Sequence, residues 1–125
     1  MSLEYQFEAI GTHWQIDIFD HINEYKRSEI QNLISVHIAE FDRNYSRFRK
    51  DSLVTKMSKQ MGDYVLPADA EPMMDLYERL YKLTDGLVTP LIGQTLVDAG
   101  YDANYSLEKG ELQTPPKWEE ALEYK

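Results

Sequence analysis

The sequence predicts an α+β fold: an antiparallel sheet with two long helices packed on one face. Two patterns carry that expectation. Residues 3–19 alternate apolar and polar side chains with the period of two that puts one set on a buried face. Residues 24–42 and 69–83 instead place apolar side chains three and four apart, the spacing of a helix buried along one stripe.

In order along the chain, Tyr5, Phe7 and Ala9 alternate with Glu4, Gln6 and Glu8, and Trp14, Ile16 and Ile18 alternate with Gln15, Asp17 and Phe19. Gly11-Thr12 breaks the run, because glycine permits a tight turn or a bulge. Ile30, Leu33, Ile34, His37, Ile38 and Phe41 form the apolar stripe of the first helix, which Asn23 or Ser28 would start. Residues 43–52 read as a loop, with Asp51 or Ser52 capping a short helix near 53–60. Gly62-Asp63 marks a turn before a short strand, Tyr64-Val65-Leu66. Asp69 then caps the second long helix, with Pro72 in its first turn, Met73, Leu76, Tyr77, Leu80 and Leu83 as its buried stripe, and Gly86 as its stop. Residues 87–96 read as a strand or a loop leading into a turn of helix. Gly110 and Pro115-Pro116 make 100–116 an extended loop, and a last helix begins near Trp118.

Bulk properties narrow the function. The 125 residues suffice for one domain of ordinary size with a modest core, and 42% hydrophobic against 28% charged residues describes a globular chain. A net charge of -9 argues against nucleic acid, since phosphate contacts need clustered Lys and Arg; the one basic cluster, Arg43, Arg47, Arg49 and Lys50, is short. Without cysteine there is no disulfide, thiolate metal site, Cys nucleophile or lipid-anchoring Cys. No run approaches the length of a membrane span, and residues 1–20 show no signal-peptide pattern. The compartment stays open: cytoplasmic, or membrane-associated or periplasmic if a leader has been removed.

His13, His21 and His37 have no metal-ligand spacing, and His37, on an apolar face, is expected to be a core histidine. Glycine-rich phosphate cradles are missing, and the many carboxylates are dispersed as on a solvated surface. Three loops remain. In Ala9-Ile10-Gly11-Thr12 a glycine lets a ligand approach the backbone and Thr12 brings a hydroxyl. Residues 45–52, Tyr-Ser-Arg-Phe-Arg-Lys-Asp-Ser, set aromatic rings beside cations, which suits stacking on a planar ring and steadying a phosphate. Residues 84–93, Thr-Asp-Gly-Leu-Val-Thr-Pro-Leu-Ile-Gly, are a helix stop followed by a stiff apolar loop.

Taken together and in this order, Ile10-Gly11-Thr12, the Ser46-Arg47-Phe48-Arg49-Lys50-Asp51-Ser52 loop, the 84–93 loop and Gly100-Tyr101-Asp102 resemble the ApbE family, the FAD:protein FMN transferases. The resemblance covers residues 5–105. It implies an enzyme that cleaves the FAD pyrophosphate, releases AMP and attaches FMN to a Ser or Thr of a target protein, with magnesium stabilising the transferring phosphoryl group. FAD, magnesium and a protein to be flavinylated are the implied cofactors and partners. Carried over by position, Ile10, Gly11 and Thr12 would border the flavin from the first loop, Phe48 would pack on the FAD from the second, and Leu87, Val88 and Thr89 would line it from the third.

The sequence also departs from the family. Ile10 stands where methionine is usual, and Thr89 where aspartate is usual. The resemblance further implies a second part, as long again or longer, carrying most metal ligands, a glycine-rich segment and a histidine for the transfer. Residues 1–125 are therefore expected to be the front portion of such a transferase domain, inactive alone and a weak FAD binder, with no catalytic residue and no metal ligand of its own. Residues 106–125 are expected to be poorly anchored, and open sheet edges to favour a homo-oligomer. The alternative expectation is a non-catalytic flavin-binding or protein-interaction domain.

Overall fold

The computed structural model describes residues 2–123. It is an α+β structure in two compact units, Met1–Gln60 and Met61–Lys125.

In the first unit, β1 (Leu3–Ala9) and β2 (Thr12–Ile18) form an antiparallel hairpin. Its register pairs Leu3 with Ile18, Tyr5 with Ile16 and Phe7 with Trp14, so the apolar side chains of both strands share one face. The Phe7 and Trp14 rings lie parallel at 6.4 Å, and Tyr5 tilts against Phe7 at 5.2 Å. The other face is polar: Gln6 Nε2 donates to Gln15 Oε1 at 3.1 Å, and His13 meets Glu8 at 3.2 Å.

Helix α1 (Glu24–Tyr45) starts at Asn23, whose side-chain oxygen accepts from the Lys26 amide at 2.8 Å. It touches β1 through the Tyr5 hydroxyl and Ser35 Oγ at 3.2 Å, and Arg27 donates to the Ser2 carbonyl at 3.0 Å. The helix runs three residues beyond the expected end, closing on Ser46, whose N–H reaches the Asp42 carbonyl. Its shielded stripe is Ile30, Ile34, Ile38, Phe41 and Tyr45, all half-buried. Leu33 and His37 fall on the neighbouring ridge and are exposed, so the expected core histidine is a surface residue. Helix α2 (Leu53–Lys59) is capped by Ser52, as expected.

In the second unit, residues 64–66 form no strand. A strand needs a hydrogen-bonded neighbour, and the one sheet among the described residues holds only β1 and β2; Val65 is exposed. Helix α3 (Ala70–Leu83) begins where expected, but Asp69 makes no side-chain cap bond; a turn closed by the Ala70 amide on the Pro67 carbonyl leads in. Its inward residues are Ala70, Met73, Leu80 and Tyr81, whereas Leu76, Tyr77 and Leu83 of the expected stripe are exposed. The wide ring of Tyr81 takes the inner position, facing Trp118 at 5.7 Å.

Helix α4 (Gly93–Asp98) follows a loop, and the single turn α5 (Trp118–Ala121) is the last element among the described residues. Between them, residues 100–107 fold into a turn, with positive φ at Gly100, Tyr105 and Leu107 and the Leu107 amide on the Gly100 carbonyl, and residues 108–117 form neither helix nor strand. The Gly110 amide donates to the Asp98 carbonyl, the Gln113 amide to Asp98 Oδ2 at 3.0 Å, and Thr95 Oγ1 to the Gln113 carbonyl at 2.8 Å. Trp118 is buried, and its amide donates to the Tyr81 hydroxyl at 3.3 Å.

Candidate functional site

The candidate residues fall on three loops, two in the first unit and one in the second. Ile10 and Gly11 are the whole turn of the hairpin, with φ 55° and 70°. Left-handed conformation at both positions gives the turn the twist of the strands it joins. Thr12 Oγ1 and Trp14 Nε1 both donate to the Ala9 carbonyl, at 3.3 and 3.0 Å, and tie the turn down. The Ile10 side chain is 61% exposed.

A shallow groove of about 460 Å³ runs from this turn between the hairpin and α1. Tyr5, Phe7, Ile10, Ile38 and Ala39 supply its apolar lining; Glu8, Ser35 and Asp42 supply the polar part. Gly11 and Thr12 line a smaller depression beside it with Glu8, Ala9 and His13.

The second loop is bound to both helices that flank it. Arg49 grips Asp51 bidentately, Nε to Oδ1 at 2.9 Å and Nη2 to Oδ2 at 3.0 Å, and places Nη1 3.1 Å from Asp42 Oδ2 on α1. The hydrogen bonds Arg49 donates to Asp51 and then to Asp42 hold its guanidinium firmly charged, and Arg49 in turn draws the Asp51 carboxyl below its ordinary value. Ser52, fully buried, accepts from the Thr55 amide at 3.1 Å and donates to the Thr55 hydroxyl, which donates to the Arg49 carbonyl at 2.6 Å. Phe48 sits half-buried under the Arg47 guanidinium, 4.2 Å from the ring centre, and is not part of the groove lining.

The third loop is shaped by its first residue. Thr84 Oγ1 donates to the Leu80 carbonyl at 2.7 Å and accepts from the Val88 amide at 3.0 Å. The helix stop itself is a pair of hydrogen bonds from amides to carbonyls: Gly86 to Tyr81 at 2.8 Å and Asp85 to Lys82 at 3.4 Å. Asp85, at φ 51°, thus takes the left-handed position next to the helix, and Gly86 follows at φ 81°. Leu87 and Val88 are exposed, and the Thr89 hydroxyl accepts from the Leu91 amide at 3.1 Å.

Ile10, the groove and the second loop thus belong to one unit, with Asp42 common to the groove and the Arg49 clamp. Sequence reasoning missed Asp42 as a groove residue and Arg49 and Thr84 as organisers. Arg49 gives little signal, because its partners lie seven residues before it and two after, a spacing with no periodic signature. Among the described residues no group of three or more His, Asp or Glu side chains could hold a metal ion.

No protein-family profile matches the sequence, and no curated protein does. Solved structures do. The flavin transferase ApbE from Vibrio cholerae superposes with a TM-score of 0.69 at 18% identity, over 96% of this chain and 38% of that one. An ApbE protein from Thermotoga maritima gives 0.70 at 21% identity, over 95% and 37%. The apo flavinyl transferase ApbE of Pseudomonas stutzeri gives 0.70 at 15% identity, over 93% and 38%. The chain spans about two fifths of the length of these proteins, and over that stretch it has the ApbE fold.

Proposed function

We propose that the chain is the FAD-binding front portion of a magnesium-dependent FAD:protein FMN transferase, which attaches FMN to a Ser or Thr of a target protein. The observation that carries this reading is the fold likeness to flavin transferases over nearly the whole chain.

The residues present suit the flat, uncharged part of such a ligand. Tyr5 and Phe7 offer aromatic rings and Ile10, Ile38 and Ala39 aliphatic contact, the mix expected of a cofactor groove. Glu8 and Asp42 would repel a pyrophosphate, so the phosphates belong elsewhere. Gly11 and Thr12 would meet the ligand at the turn and Phe48 from the second loop; for Leu87, Val88 and Thr89 the family resemblance alone suggests a cofactor contact. Magnesium, when bound, would neutralise charge on the transferring phosphoryl group. The described residues do not fit that ion, and no ligand to it is assigned to this chain.

Titrating FAD with the chain while following flavin fluorescence anisotropy tests the reading. Weak, saturable binding is expected, and Ile38→Glu should weaken it about tenfold by placing charge in the apolar groove. An anisotropy that never rises would sink the proposal. The non-catalytic alternative predicts the same binding without AMP release from FAD in any full-length form supplied with magnesium and a Ser/Thr target.

A further inference from the structure

We propose that Arg49 is a positioning residue that ties the Phe48 loop to the wall of the groove, so that the first two ligand-facing loops act as one surface. The inference rests on the flavin-binding reading above.

Three observations carry it. First, Arg49 makes three charge-assisted hydrogen bonds at 2.9 to 3.1 Å, and they go to opposite ends of its loop: Asp42 on α1 before it and Asp51 just ahead of α2. A bidentate fork with a third bond fixes direction as well as distance, which a single surface pair does not. Second, Asp42 lines the groove that ends under the Ile10 turn, so the same carboxylate belongs to the binding surface and to the clamp. Third, the Arg49 carbonyl is held from behind by the Thr55 hydroxyl, itself bonded to the buried Ser52. Main chain and side chain of Arg49 are therefore both committed, and Phe48 is the adjoining residue. Three of the five guanidinium N–H groups of Arg49 donate to carboxylates, and the negative charge of Asp42 and Asp51 beside the other two disfavours an anion there. The contribution of Arg49 is geometric.

The test pairs two readouts on the whole chain. Arg49→Gln should weaken FAD binding about tenfold through misplacement of Phe48. Arg49→Lys keeps the charge but not the fork, and should recover less than half of that loss on a logarithmic scale. In a Phe48→Leu background, Arg49→Gln should change affinity little, because the ring it positions is gone. An equal loss in both backgrounds overturns the proposal, as does an Arg49→Gln chain that binds FAD normally.

The second readout needs no ligand. With ring-labelled phenylalanine, the Phe48 resonances should shift in Arg49→Gln and in Asp42→Asn, while those of Phe7 stay in place. If the unaltered chain binds no FAD, the functional reading fails, and the resonances alone decide whether Arg49 positions Phe48. Unmoved Phe48 resonances overturn the positioning role even where FAD binds.

Discussion

Ile10 holds φ 55° with most of its side chain in solvent, so packing does not keep it there. The turn does: two residues must reverse the chain between Ala9 and Thr12, and only the left-handed pair matches the twist of the strands. A β-branched residue in that region is strained, by about 1–3 kcal/mol. Ile10→Asn is therefore expected to raise stability by about 1 kcal/mol, read from the midpoint of urea unfolding. It should also weaken FAD binding if Ile10 touches the ring. At Gly100 the opposite holds. Its φ is 93°, and an added Cβ would come within 2.7 Å of the Leu107 carbonyl carbon and 2.9 Å of its Cα. Gly100→Ala should cost more than about 1 kcal/mol, visible in thermal unfolding, since backbone cannot step aside. The sequence announces such positions unevenly. Gly11 and Gly100 are visible as glycines, whereas Ile10, Asp85, Tyr105 and Leu107 take positive φ with no letter to signal it.

Elements were legible where a local rule sets them. Alternation found both strands, and Asn23 and Ser52 mark the starts of α1 and α2 because each presents an oxygen to an amide three residues on. The rule failed at 64–66, where an apolar run has no neighbouring strand, and on α3, where Tyr81 rather than Leu76 and Leu83 meets Trp118. Which ridge of a helix turns inward depends on its partner, and the partner of α3 lies 37 residues away in sequence. The join between α1 and α2 makes a pH prediction. Arg49 draws the Asp51 carboxyl down from its ordinary value of about 4. A depressed carboxyl contributes stability that is present above the unfolded value and lost as pH falls through the folded one. Compared with Asp51→Asn, the unaltered chain should be the more stable at pH 7, and the two urea midpoints should converge as pH drops below about 4. A difference that persists at the acid end would exclude the ion pair as its source.

At the scale of the whole chain, surface is the telling quantity. The protein exposes 10070 Å². Two separate compact bodies of half its 14.7 kDa would together expose about 8,400 Å², so the excess does not depend on how the units are arranged. Apolar side chains supply part of it, among them Phe19, Val65, Leu83 and Leu87, while among the described residues the buried hydrophobic ones are Leu3, Ala70 and Trp118. Unfolding thus exposes about 11,000 Å², less than the roughly 14,000 Å² of a compact protein of this mass. The urea m-value should fall about a fifth below that of a compact protein of the same length, since m scales with the surface exposed. A steep transition would contradict so thin an interior. The sequence promised a modest core from length and composition, but it could not show which apolar residues stay uncovered, because that depends on contacts distant in the chain.

Gln113 lends itself to following when the segment 108–117 leaves its helix. Its amide points at Asp98 and its carbonyl receives Thr95, so side chains of α4 take the place a neighbouring strand would fill. The amide proton can trade with deuterium only after Asp98 has let go, whereas the amides inside α4 wait for the helix itself to open. If Gln113 exchanges faster than the Ala99 amide, which bonds to the Thr95 carbonyl, the segment lifts off as a separate event. If the two exchange at one rate, strap and helix are a single cooperative piece.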